Sequence, residues 1–103
     1  MTGTPSQTEW AERIKATVGN EFDRVAASFR SVAEKQTQNK RTDTQAIISI
    51  LEEKRAEVMA RDQAGYFIQV WQEISDQVQR MIQADPRYKA IRLKANSNLT
   101  PKT

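Results

Sequence analysis

Seven apolar side chains near the start of the chain share one spacing: Trp10, Ile14, Val18, Phe22, Val25, Phe29 and Val32 follow one another by three or four residues. Only an α-helix puts such positions on one face, because a turn takes 3.6 residues. A strand would need strict alternation, which this run lacks. The stripe keeps its phase through Gly19, so the spacing predicts one long helix from about Ser6 to Gln36. At 1.5 Å per residue such a helix is ~45 Å long. Ser6 and Glu9 read as a capping box at its start, with residues 1–5 as a frayed lead-in. Glu9–Arg13, Glu12–Lys15 and Glu21–Arg24 pair along its solvent side.

The stretch QTQNKRTDT, residues 36–44, is polar and aperiodic and reads as a loop, with Thr42 or Asp43 capping the next helix. A second helix follows on Ile47, Ile50, Leu51 and Val58, and a third on Tyr66, Phe67, Val70, Trp71, Ile74, Val78, Met81 and Ile82. The two stripes differ in phase by about two residues, roughly half a turn. One straight helix would carry them on opposite faces. A break near Arg61–Gly65 is therefore preferred over one continuous helix, with Asp62 as the cap. The third helix has the widest apolar face and is the expected central element. Asp85-Pro86 starts a short basic helix to about Ala95, with Tyr88 and Ile91 turned inward. The expected fold is all-α: an antiparallel helical bundle of three main helices, the first one long, plus a short basic C-terminal helix. Residues 1–95 form one domain in this reading, and 96–103 a flexible tail.

Three Gly and three Pro leave few turn formers for a β-rich fold. The chain has no His and no Cys. That removes the usual structural zinc sets, the Glu-x-x-His di-iron centre, thiolate nucleophiles and Ser-His triads. No cofactor is expected. The segment MTGTPSQTEW lacks a basic stretch and an apolar run, and no apolar run elsewhere is long enough for a bilayer. A cytoplasmic protein without a membrane partner is the default expectation. Charge is uneven: residues 1–85 carry 11 basic and 13 acidic groups, whereas 86–103 carry five basic groups and no acid. The basic character sits at one end.

Three constellations are candidates for function. The first is acidic: Glu52, Glu53 and Glu57, then Glu73 and Asp76. Carboxylates gathered from two helices are what magnesium needs. The pattern resembles the two-part acidic motif of the all-α nucleotide pyrophosphohydrolases of the MazG type, an EExxE followed by ExxD. Glu73-Ile-Ser-Asp76 matches the second half, whereas Glu52-Glu53-Lys-Arg-Ala-Glu57 is one residue too long for the first. The resemblance covers about 25 residues and implies Glu53, Glu57, Glu73 and Asp76 as metal ligands of a magnesium-dependent enzyme. Helical phase opposes it, because Asp76 falls nearly opposite the apolar face. The second constellation is basic: Arg87, Lys89, Arg92 and Lys94 with Tyr88, which suits phosphates and base stacking in a nucleic-acid contact. The third is aromatic and apolar: Trp10, Ile14, Tyr66 and Trp71 as anchors for a protein partner. The first helix outreaches a second helix of about 18 residues, ~27 Å long, which leaves Trp10 and Ile14 in need of cover. The preferred reading is a noncatalytic helical interaction module, a homodimer; nucleic-acid association and the magnesium enzyme are the alternatives.

Overall fold

The computed structural model describes residues 1–99, with side chains described through residue 94. Five helices follow in order: α1 (Pro5–Glu34), α2 (Gln38–Met59), α3 (Ala64–Val70), α4 (Ile74–Ala84) and α5 (Pro86–Leu99). The fold is all-α, and its long axis reaches 61 Å against 25 and 18 Å across.

α1 runs unbroken for 30 residues. Its start lies earlier than the Ser6–Glu9 box. Thr4 is the N-cap: its hydroxyl accepts from the Gln7 N–H while the Gln7 side chain accepts from the Thr4 N–H. Pro5 wins the first helical position because its fixed φ suits it and its missing N–H costs nothing there. Gly19 is buried within the helix, where Arg55 of α2 donates to its carbonyl at 3.4 Å. Glu9–Arg13 and Glu21–Arg24 pair as the spacing predicts, at 2.7 and 2.6 Å. Lys15 does not join Glu12; it reaches the Arg61 carbonyl at 3.3 Å.

The turn into α2 is much shorter than the nine-residue loop expected at 36–44. Thr37 is the N-cap, and the helix begins at Gln38. Thr42 sits inside it and bonds back to the Gln38 carbonyl, while Asp43 pairs with Lys94 of α5. This polar segment is helical because tertiary bonds hold it. The Arg41 guanidinium donates to the Ala33 and Gln36 carbonyls, at 3.0 and 3.2 Å, just where α1 ends. A cation there also complements the helix dipole. Arg30–Glu52 and Asp23–Arg55 then lace the two helices antiparallel.

The break between α2 and α3 falls where the phase change places it. Asp62 does not cap α3, whose N-cap is Gln63. Instead the Asp62 carbonyl accepts from the Thr2 N–H at 2.8 Å, and Ala64 N–H donates to the Thr2 carbonyl at 2.9 Å. Residues 1–5 are thus pinned across the molecule rather than frayed. Gly3 takes φ +140, and a Cβ there would meet the Ala64 Cβ at 2.9 Å. Both demands select glycine.

The expected third helix is two. α3 ends at Val70 and α4 starts at Ile74. No Gly or Pro stands between them, so the interruption is tertiary in origin. α3 lies on α1, whereas α4 packs against both α1 and α2. The turn between them seats the Trp71 indole, 1% exposed, edge-on to Phe22 at 6.0 Å. The pair belongs to one core that runs along α1 and includes Ala11, Val18, Leu51, Val58, Phe67, Val78 and Ile82. Burying a side chain such as Phe22 stabilises by roughly 1.5–3 kcal/mol. The central element is α1, which touches α2, α3 and α4, and not the 66–82 segment.

Asp85 caps α5 as expected: its Oδ1 accepts from the Arg87 N–H at 2.8 Å, with Pro86 next in the helix. The helix runs past Ala95 to Leu99, so the first four residues of the expected tail are helical. The rest of that tail, 100–103 with Lys102, lies outside the described residues.

Candidate functional site

The four proposed partner anchors separate into three environments. Trp71 is core, 1% exposed, which corrects its assignment to a docking surface: the indole is enclosed by the bundle and has no face to offer a partner. Its Nε1 finds no acceptor among the described residues. Ile14 and Tyr66 are half-buried and pack against the core. Ile14 lies on the stripe that α3 covers, so the N-terminal end of α1 is not bare. The α2 helix is longer than expected, at 22 residues, and α3 with the Thr2 strap supplies the remaining cover. Tyr66 stands edge-on to Phe67 at 5.1 Å, with the Arg61 guanidinium 4.1 Å above its ring. Trp10 alone of the four is open, at 56% exposure.

Among the described residues, three further large apolar side chains stand in solvent: Val32, Val70 and Leu93. Val32 continues the α1 stripe towards its C-terminal end. The sequence placed it on the buried face, and the stripe outruns the helices that cover it.

The acidic residues are dispersed. Glu52 pairs with Arg30 at 2.7 Å and Glu53 with Arg87 at 2.6 Å. Glu57 is exposed, Glu73 is the N-cap residue of α4, and Asp76 lies in its first turn. Among the described residues, no group of three or more carboxylates is placed to hold a metal ion. Glu53, Glu57, Glu73 and Asp76 therefore do not converge as the acidic motif requires.

The basic helix is also differently engaged than a phosphate-binding stripe. Arg87 is held by Asp85 and Glu53, and Lys94 by Asp43 at 3.4 Å. Arg92 donates to the Tyr88 hydroxyl at 2.9 Å and lies 5.2 Å from its ring centroid. Tyr88 is half-buried, so its ring is not laid open for a base. Lys89 is exposed.

Sequence reasoning saw Asp85 only as a cap. In the structure it is a buried junction, 5% exposed, accepting from Arg87 Nε and Nη2 at 3.0 and 2.9 Å and paired with Lys54 at 3.1 Å. The Arg87 guanidinium holds its carboxyl well below the usual carboxylate range, against burial, which pushes it up. On the far side of the α1–α2 pair lies an open groove of about 570 Å³ floored by Ala33 and Ile48. Its walls hold the Arg30–Glu52 pair and Arg41, two of whose donors bond the Ala33 and Gln36 carbonyls. No family model, curated protein or solved structure matches the chain. Among the described residues, no helix is long and apolar enough to cross a membrane.

Proposed function

We propose that this chain is a noncatalytic helical interaction module that associates with a second copy of itself through the N-terminal half of α1, with Trp10 as the anchor. The observation that carries this reading is the exposure of Trp10. Tryptophan is the side chain most enriched at the energetic centres of interfaces, and this one stands on a rigid helix, so docking costs little conformational entropy. The dispersal of Glu53, Glu57, Glu73 and Asp76 favours a noncatalytic reading over a magnesium enzyme. The pairing of Arg87 and Lys94 within the chain favours a protein partner over nucleic acid.

Tryptophan fluorescence tests the assignment, because Trp10 and Trp71 are the two tryptophans and Trp71 is sealed in the core. Acrylamide quenching therefore reports on Trp10. Docking of Trp10 predicts that quenching weakens as the protein is raised from micromolar to millimolar concentration. Quenching that stays constant over that range would remove Trp10 from the interface.

A further inference from the structure

One face of α2 carries Asp43, Ile47, Ile50 and Lys54, spaced by four, three and four residues. The two ends of this face are bonded to the two ends of the segment 85–94, which is Asp85 and the first part of α5: Asp43 to Lys94, and Lys54 to Asp85. Between those ends α5 offers Tyr88 and Ile91, both packed against the core cluster to which Ile47 and Ile50 belong. The two helices thus lie antiparallel, with ion pairs at either end and Tyr88 and Ile91 seated on the shared core between them, where α5 also meets α4.

The two ends are unequal. At Asp85 the carboxylate is buried, accepts three bonds from Arg87 and pairs with Lys54. At the other end a single pair, Lys94–Asp43, spans 3.4 Å, with the lysine side chain 64% exposed. Glu53–Arg87 adds a second exposed pair near the hinge. Solvent-exposed pairs of this kind are weak and are screened by salt, whereas buried ones are screened much less. Among the described side chains of α5, Tyr88 and Ile91 pack inward, whereas Leu93 stands 67% exposed, so the apolar area under residues 86–94 is small.

We propose that α5 is a hinged basic strap. Asp85 with Arg87 is the pin, the Asp43–Lys94 pair is the latch, the Glu53–Arg87 pair steadies the hinge end, and the helix lifts from its Lys94 end without disturbing the rest of the bundle. Lifting uncovers the core beneath Tyr88 and Ile91 and frees a basic helix face that carries Lys89, Arg92 and Lys94 beside those two side chains. The strap is independent of whether Trp10 docks a second copy, since it uses a different helix and a different face.

Amide hydrogen exchange on the full chain tests this, following residues 87–94 beside residues of α1 and α2 at low and high sodium chloride. The strap predicts that the α5 amides exchange roughly fivefold faster in high salt, the scale set by losing weak surface pairs, while α1 and α2 amides keep their rates. The Asp43→Asn, Glu53→Gln double variant, which neutralises two surface residues, should show the fast α5 exchange already at low salt. Exchange of α5 that ignores both salt and the substitutions overturns the proposal. So does exchange in which α5, α1 and α2 always change together, because α5 would then belong to the cooperative core.

Discussion

Asp85 shows how one side chain serves two ends at once. It caps α5 by accepting the Arg87 N–H, and its charge ties that junction to Lys54 of α2. The two roles are separable, because asparagine caps as well as aspartate but carries no charge. Asp85→Ala should cost about 1 kcal/mol more than Asp85→Asn in urea unfolding, the usual worth of a cap. The charge has its own signature in pH. Its folded-state pKa is depressed, so the stability it contributes is present above the unfolded value, about 4, and is lost as the pH falls below it. Native protein should lose stability through that acid range more steeply than Asp85→Asn, as measured by denaturation midpoints at a series of pH values. Equal slopes would show that the charge does no work at the junction.

Glycine positions bring out the logic of the elements. Gly65 lies in α3 with nothing within 4 Å of where a Cβ would stand, and only its backbone freedom opposes the helix. Gly65→Ala should therefore stabilise by up to about 1 kcal/mol. Gly3→Ala should destabilise, since it meets both an unfavourable φ and the Ala64 Cβ. Thermal midpoints moving in opposite directions check the pair. Such contrasts explain how much of the fold was legible in the sequence. The α1 stripe, the α2–α3 break and the Asp85-Pro86 start of α5 were readable, because each is written in local periodicity or capping chemistry. The α3–α4 break was not. Gln72 and Glu73 are sound helix formers, and what interrupts the helix is the need to redirect the chain from α1 towards α2 around a buried Trp71. The helical start at Gln38 was hidden for a related reason: its support comes from Arg41 and Lys94, partners that no local pattern reveals. Of the candidate anchors, Trp10 and Trp71 sit on equivalent stripes in the sequence. The place of Trp10 near the start of α1 already marked it as the less covered of the two, and the positions of α3 and α4 seal Trp71 and cover Ile14.

At the scale of the whole molecule, the fold is a long hairpin, α1 with α2, onto which α3, α4 and α5 are laid. The arrangement covers Ile14 and so removes the length mismatch as a reason for dimerisation. What remains in favour of self-association is Trp10 itself. The most direct measurement is molar mass by light scattering on a sizing column, across a range of loading concentrations, for the native chain and for Trp10→Ala. The account predicts a native mass that rises with concentration from 11.8 kDa towards twice that value, while Trp10→Ala stays at 11.8 kDa with its helicity intact. A native chain that holds 11.8 kDa at every concentration would contradict it.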